Sequence, residues 1–500
     1  MNELRAGRRE WGGLQCCGLI GSLPEFPGGQ PGSVGMRTEE AWARLVFGGA
    51  QLGDRRRVER LVLIAQRAAA QPTGTVTGVF KTSAEQEGAF RLLESDDVAA
   101  SAVQRSMFEA TARVCATEQR IYVPIDGSSL SLTDLAARRE LGRIGSKGNT
   151  RGLEVMSAFA VGESGRPLGL LDQRWWARDH EPRKRDKYQS QCINNRHLER
   201  ETRFWLETLS ASEEHLADNA SRTCAWYQMD RGADCWPLFQ HVLEKKLLVT
   251  VRSNHNRRVV GPDGPAGKRR YLRQELERQR VTGRYTLEVP RRGRTGRRRA
   301  NIALRACKVK ISARISSNHR KIFEFNAVMV RETQRRPDRI CWVLLTTHPI
   351  ETRKDIEAVV HGYALRWRIE DFHRAWKRGH CNVEKTQLRD RSTIVKWATI
   401  LAAVASRALH LAHILRTNAD LPASTEFTEY EIEACFILSE KPRDRRKSLS
   451  VGDVLKLIAE LGGFGNRYYG GKLPGPTVIG RGLKYMEPMS RGLRSMDKMR

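Results

Sequence analysis

The sequence predicts a mixed α/β fold with helical domains at both ends, and three observations carry that prediction. Between Glu118 and Ser253, short apolar runs alternating every second residue lead into strand–helix alternation, the pattern of a mixed sheet. From Asn254 to about Asp338 the composition shifts to basic loops and long alternating strands such as KVKISARI and KIFEFNAVMVRE, which reads as a β-rich insertion. The flanks, from Glu39 to about Ala100 and from Ile394 onward, space their apolar residues for helices instead.

Charge narrows the function. The chain has 500 residues, a formal charge of +30 and a pI near 10.2, which calls for a polyanionic partner. Nucleic acid fits better than a membrane, since no apolar run reaches the roughly 20 residues of a spanning helix. The nearest candidate, Trp397 to Ser406, has the length of a core helix. The opening MNELRAGRREWGG has no export signal core. Ten scattered cysteines include no C-x-x-C pair or zinc spacing, as expected for reduced thiols in a cytoplasm.

In chain order, residues 1–37 are Gly- and Pro-rich and read as a disordered leader, with Met36 an alternative start. Residues 38–105 form a helical domain. In it LGDRRRVERLVLIAQRAAAQP places Leu61, Ile64 and Ala65 on one face behind Arg55, Arg56, Arg57 and Arg60, and Gln71-Pro72 ends the helix. Such an arginine cluster suits contact with DNA phosphates. The main domain spans 106–390 with its insertion at about 254–347. It opens with QRIYVPIDGSSLSLT, a β-run turned by Asp126-Gly127. LEVMSAFAV and PLGLLDQRWW follow as a hairpin joined by Gly162 to Arg166, then a charged helix, RHLERETRFWLETLSA. CAWYQMD is a strand ending at Asp230, RGADCWPLFQHVLEK a helix, and LLVTVRS a strand. PRRGRTGRRRA is a basic loop, and ICWVLLTT a strand that closes the insertion. Residues 391–500 form a helical C-terminal domain, with VGDVLKLIAELGG as a helix before a Gly-rich tail.

The chemistry centres on YALRWRIEDFHRAWK, in a proline-free span from Asp355 to Gly379 that reads as one helix. At 100° per residue Tyr363, Arg366, Glu370 and Lys377 fall within an arc of about 60°, while Ile369, Phe372 and Trp376 point to a core. A carboxylate ringed by a tyrosine, an arginine and a lysine fits a metal ligand flanked by phosphate-gripping groups; the alternative is a solvated salt-bridged face. Asp126 and Asp230 mark strand interruptions or ends, and with Glu370 they make a carboxylate set that Mg²⁺ or Mn²⁺ could neutralise. Asp134, Asp172 and Asp234 are other acidic candidates.

The ordered motifs resemble the DDE transposases of bacterial insertion sequences, in the cut-and-paste subgroup marked by Tyr-(2)-Arg-(3)-Glu-(6)-Lys. Tyr363, Arg366, Glu370 and Lys377 meet that spacing. Asp126-Gly-Ser-Ser-Leu resembles the first-Asp motif, Asp230-Arg-Gly-Ala-Asp the second, and VTVRSNHNRR, with Arg252, the strand after it. GLLDQRWW, LGDRRRVERL, EGAFRLL and LGGF resemble further family segments, from about residue 38 nearly to the end. The resemblance implies a ribonuclease-H-like core with a β-rich insertion. It makes Asp126, Asp230 and Glu370 ligands of two Mg²⁺ ions, replaceable by Mn²⁺. It assigns transposon-end phosphates to Tyr363, Arg366 and Lys377, and also to Arg374 and Arg252. Trp342 would stack on a flipped base; ordinary sheet packing is the alternative. Met156 departs from a common histidine, and Gly127 and Ser128 from the usual threonines. The implied activity is binding of terminal inverted repeats in double-stranded DNA, pairing of two ends, cleavage through a hairpin, and joining to target DNA by a homodimer. The implied location is the bacterial cytoplasm, at the nucleoid. The rivals are a metal-dependent nuclease or junction resolvase, and an inactive transposase-derived regulator.

Overall fold

The computed structural model describes residues 39–134, 139–144, 150–178, 201–260, 270–289, 298–315, 319–444, 446–465, 473–497 and 499. The expected leader and most of the basic loop PRRGRTGRRRA lie outside them. Five helices come first: α1 (Glu39–Phe47), α2 (Arg55–Ala70), α3 (Val76–Val79), α4 (Ser83–Leu93) and α5 (Ala100–Cys115). Strands β1 (Arg120–Ser131), β2 (Gly142–Arg143), β3 (Arg151–Gly162) and β4 (Pro167–Trp176) lead to α6 (Arg203–Asn219). Then come β5 (Cys224–Met229), α7 (Trp236–Glu244), β6 (Leu248–Arg252), β7 (Arg258–Val260), β8 (Arg270–Tyr271), α8 (Leu272–Arg278), β9 (Gly283–Val289), β10 (Arg298–Arg314), β11 (Arg320–Glu332) and β12 (Cys341–Thr346). The chain closes with α9 (Arg353–Leu365), α10 (Trp367–Lys377), α11 (Arg391–Thr417), α12 (Glu429–Leu438), α13 (Val451–Leu461) and α14 (Pro476–Asp497).

These elements divide into two units. One, the sheet unit, holds Trp226–Trp367; the other, the helical unit, holds the described parts of Gly28–Arg185, Arg203–Ala225 and Arg368–Arg500. In the sheet unit β5 and β6 run parallel, and β6, β12, β11 and β10 follow as antiparallel neighbours. β10 also pairs β7 and β9. The β-rich stretch expected between about 254 and 347 forms strands β7 to β12, with α8 as a helix that the sequence pattern did not announce.

In the helical unit β3 pairs antiparallel with β1, β2 and β4. The hairpin between β3 and β4 turns at the expected place, with Gly165 at φ 82° supplying the left-handed residue. The turn expected at Asp126-Gly127 is absent. β1 runs straight through, pairing Asp126 with Ser157 and Gly127 with Met156 in unbroken register. The tight hairpin turn that Asp-Gly favours needs positive φ, and Gly127 is not among the positive-φ glycines.

The unit's spine is the 27-residue α11. Among the described residues it is the one helix long and apolar enough to cross a membrane, and 89% of its apolar window is buried inside the protein. The expected Gly-rich tail is a 22-residue helix, α14, instead. Two of its glycines serve close approach: a Cβ on Gly482 would lie 1.8 Å from the Ile458 carbonyl, and one on Gly480 2.3 Å from the His380 ring. Ile479, Leu483 and Met486 supply the helical stripe that packs against α13 and α11.

A buried charge network joins three segments of this unit. Arg407 of α11 pairs with Glu39 of α1 at 3.1 Å, and Glu39 shares a hydrogen bond with Glu431 of α12. Burial pushes Glu431 upward and Glu426 up to about 7; on β4, burial also lifts Asp172 to about 7. An unfolded chain ionises these carboxylates near their ordinary 4.5 and 3.8, while the folded chain retains their protons. Their contribution is complete below those values and is lost as pH rises through the folded ones. Partly buried His410 and buried His413, lowered to about 4 and 3, act oppositely and only below about 6.5. We expect the melting temperature to fall as pH rises from about 6.5 to 8, and Glu426→Gln to flatten that slope. A pH series of thermal melts on both proteins measures it, and an unchanged slope in the variant contradicts the assignment.

Candidate active site

The sheet unit gathers one set of the expected residues. Because β5 and β6 are parallel with Met229 opposite Val251, Asp230 and Arg252 leave adjacent strands at the same end. Asp230 caps the 3₁₀ turn Arg231–Ala233, its Oδ1 accepting from the Gly232 N–H at 2.7 Å. β12 brings Leu344 opposite Arg252 and carries Trp342. The Trp342 ring, buried at 7% exposure, meets Tyr363 of α9 edge-on at 5.2 Å. Arg252 brings its positive charge within reach of the Tyr363 phenol and donates to the Cys341 carbonyl at 3.4 Å. Burial drives the Tyr363 phenol upward, with Arg366 and Arg252 opposing it. Arg366 is itself buried, its guanidinium 5.9 Å from the Tyr363 ring and 5.6 Å from Trp367.

The helical unit gathers the other set. Asp126 and Ser128 share one face of β1, and the Asp126 Oδ1 accepts from the Gly127 N–H at 2.9 Å. Lys377, the last residue of α10, donates to the Ser128 Oγ at 3.2 Å and lies 3.8 Å from Glu384. Burial lowers the Lys377 ammonium, Arg378 adds to this, and Glu384, Glu154 and Glu370 oppose it. Glu370 sits half-exposed in the first turn of α10, where the helix dipole favours a carboxylate. Arg374 is exposed and pairs with Asp371 at 3.0 Å.

The single helix expected over 355–379 is two, α9 and α10, meeting at Arg366. There the backbone tightens to an i→i−3 bond from Arg366 N–H to the Tyr363 carbonyl at 3.3 Å. Ile369, Phe372 and Trp376 are buried as expected. Tyr363 and Arg366 are buried as well, so these two do not lie on a solvated stripe. Among the described residues no group of three or more His, Cys, Asp or Glu side chains is placed to hold a metal ion.

In the amino-terminal helices, Arg55 and Arg56 are exposed in the first turn of α2, behind the N-cap Asp54. Cations there oppose the helix dipole, a cost that an anionic partner would offset. Arg57 is committed otherwise, to Asp97 at 2.5 Å and the Leu52 carbonyl at 3.2 Å.

The other acidic candidates are anchors. Asp134 pairs with Arg151 at 3.1 Å and Asp172 with Arg174 at 2.8 Å. Asp234 is fully buried and accepts from the backbone N–H of Asn254 at 2.7 Å and of His255 at 3.0 Å, and from Arg257 Nε and Nη2 at 2.9 and 2.6 Å. Residue-type reasoning missed Arg231. Arg231 is exposed, yet partial desolvation and neighbouring Arg252 both lower its guanidinium, and its place directly after Asp230 was the available signal.

Two protein families match parts of the chain. Residues 39–98 match the transposase DNA-binding family and residues 225–406 the transposase DDE domain. The second match contains Asp230, Arg252, Trp342, Tyr363, Arg366, Glu370, Arg374 and Lys377; Asp126 precedes it. The chain is a DNA transposase, with a DNA-binding domain ahead of a DDE domain that cleaves DNA and transfers strands.

Proposed function

We propose that this transposase works by cut-and-paste on terminal inverted repeats, in the subgroup marked by Tyr363, Arg366, Glu370 and Lys377. The observation that carries the reading is the set Asp230, Arg252 and Tyr363: a carboxylate at a strand end, beside an arginine at the matching end of the neighbouring strand whose charge reaches a buried tyrosine. Arg252 and Arg366 offer planar guanidinium groups to a phosphodiester, and Lys377 a compact positive charge. Arg374, Arg55 and Arg56 add cations on exposed turns.

Asp126, Asp230 and Glu370 are the proposed ligands of Mg²⁺, with Mn²⁺ as a substitute and two ions per site. Their chemistry fits: each offers hard carboxylate oxygen and is only partly buried. Two bound ions would activate the attacking water or 3′-hydroxyl and stabilise the leaving oxygen. The protein's own groups bind and orient the strand: Arg252 and Arg366 bring positive charge to the Tyr363 hydroxyl, Trp342 packs against the Tyr363 ring, and Ser128 accepts from the Lys377 ammonium. A homodimer pairing two ends in the bacterial nucleoid completes the proposal.

The test uses labelled duplexes carrying the inverted repeats that flank the gene. Cleavage should require Mg²⁺ or Mn²⁺ and stop with EDTA, while binding persists in EDTA. Because each neutralised phosphate contributes about −0.9 to the slope of log affinity against log salt, affinity should fall steeply between low and moderate salt. Arg55→Gln with Arg56→Gln should weaken binding to the repeat more than to an unrelated duplex. A flat salt response, or cleavage that persists in EDTA, would remove the reading.

A further inference from the structure

Within the helical unit, a short stretch of α11 joins the DNA-binding domain to the end of α10. Trp397 is fully buried, and its indole N–H donates to the Gly74 carbonyl at 2.8 Å, in the loop between α2 and α3. Its neighbour Lys396, 2% exposed, donates to the Leu93 and Ser95 carbonyls at 3.0 and 2.8 Å. That lysine satisfies carbonyls which the end of α4 would otherwise leave open. The same stretch holds α10. The Ala398 carbonyl accepts from the Trp376 indole N–H at 3.0 Å, and the Leu401 carbonyl from the Cys381 thiol at 3.4 Å.

Gly74 is where the two partners of α11 touch each other directly. It is buried, and a Cβ there would lie 2.0 Å from the Asn382 carbonyl oxygen and 3.2 Å from the Lys385 Cβ. Only glycine lets the loop seat this closely. Asn382, left-handed at φ 46°, opens the 3₁₀ turn Val383–Lys385. In that turn Glu384 accepts from the Ser131 backbone N–H of β1 at 2.9 Å and from Arg378 Nε at 3.0 Å, and lies 3.8 Å from Lys377. The contacts therefore run unbroken from Trp397 through Gly74, Asn382 and Glu384 to β1, which carries Asp126, and to α10, which carries Glu370 and Lys377. Buried hydrogen bonds and a contact with no room for a methyl group define one orientation, which apolar packing alone does not.

We propose that Gly74 and Trp397 are positioning residues for cleavage: through them the bound repeat sets the place of α10 along the DNA, and so which phosphodiester is cut. Both are buried and offer DNA no group of their own, so the joint acts on geometry and not on affinity. The proposal rests on reading Asp126, Glu370 and Lys377 as active-site residues.

The experiment maps cut positions at nucleotide resolution on the labelled repeat duplex in Mg²⁺, with a gel shift in EDTA and a thermal melt on each preparation. The full-length variants are Trp397→Phe, Gly74→Ala, Val454→Ala and Glu370→Gln. Trp397→Phe removes the indole N–H and keeps an aromatic ring, and Gly74→Ala forces the loop off Asn382. Val454→Ala is a buried truncation in α13, outside the joint. Misplacing a reacting group by about 1 Å can cost about 100-fold in rate. At saturating enzyme Trp397→Phe should therefore cut about tenfold more slowly and Gly74→Ala about 100-fold more slowly, with cuts spread to neighbouring phosphodiesters. Affinity for the repeat should stay at the wild-type value in both. Val454→Ala should melt at a lower temperature yet cut at the wild-type position. If Gly74→Ala does not fold, Trp397→Phe carries the test alone. Wild-type rate and cut position in Trp397→Phe overturn the proposal. Scattered cuts in Val454→Ala overturn it as well, by making scatter a consequence of lost stability. Affinity that falls in step with cleavage places the joint in the fold of the DNA-binding domain and also overturns it. Glu370→Gln tests the underlying reading: cleavage at the wild-type rate there removes the active-site assignment itself, whereas lost cleavage beside an intact Trp397→Phe leaves that assignment standing.

Discussion

Asp126→Asn, Asp230→Asn and Glu370→Gln should each reduce end cleavage by about 10⁴-fold or more while end binding is largely retained. The amides keep the size and much of the hydrogen bonding of the acids, so the Asp230 cap on Gly232 and the Asp126 bond to Gly127 can persist. What they lose is the negative charge that a divalent cation needs. Affinity for the end comes mainly from the cations, and substituting an acid near them can even tighten binding. The readout is a time course of nicked product on a labelled end, beside a gel shift on the same preparations. If any single variant nicks at the wild-type rate in Mg²⁺, that residue leaves the ligand set. If binding and cleavage fall together, its role is in the fold instead.

The strand ends were readable because local chemistry announced them. The alternation of CAWYQM stops at Asp230, and the Gly162-to-Arg166 turn carries its own glycines; both features stand where the sequence placed them. Three features were misread, each for a tertiary reason. Asp126-Gly127 has turn composition, but pairing along β3 keeps it extended. The glycines of α14 have tail composition, but Gly482 and Gly480 let Ile458 and His380 approach the helix. The span from Asp355 to Gly379 has unbroken helical spacing, and only the tightened turn at Arg366 divides it. Asp234 was visible as an acid, yet its partners lie about twenty residues away in the loop after β6. Burial was the least readable property of all. Periodicity placed Tyr363 and Arg366 on a polar arc, and the packing of Trp342 and Arg252 around them encloses that part of it.

Trp342 is where that burial matters most for an experiment. Its ring is 7% exposed, on β12 opposite Val330 of β11, and edge-on to Tyr363. Truncation of such a side chain costs about 3–5 kcal/mol, so Trp342→Ala should lower the melting temperature and depress nicking and hairpin formation together. That variant alone cannot separate packing from contact with a flipped base. Trp342→Phe can, because it keeps an aromatic edge against Tyr363 and refills most of the space, so its melting temperature should return close to wild type. Nicking distorts the duplex little and should recover in the phenylalanine variant. A hairpin requires a base near the tight bend to leave the stack, at a cost of a few kcal/mol. A stacking platform worth about 1–3 kcal/mol would offset much of that, and phenylalanine offers a smaller face than tryptophan. The expected result is therefore a restored nick with a hairpin yield that stays several-fold below wild type. Equal recovery of both steps would confine Trp342 to holding Tyr363 in place and take it out of contact with DNA.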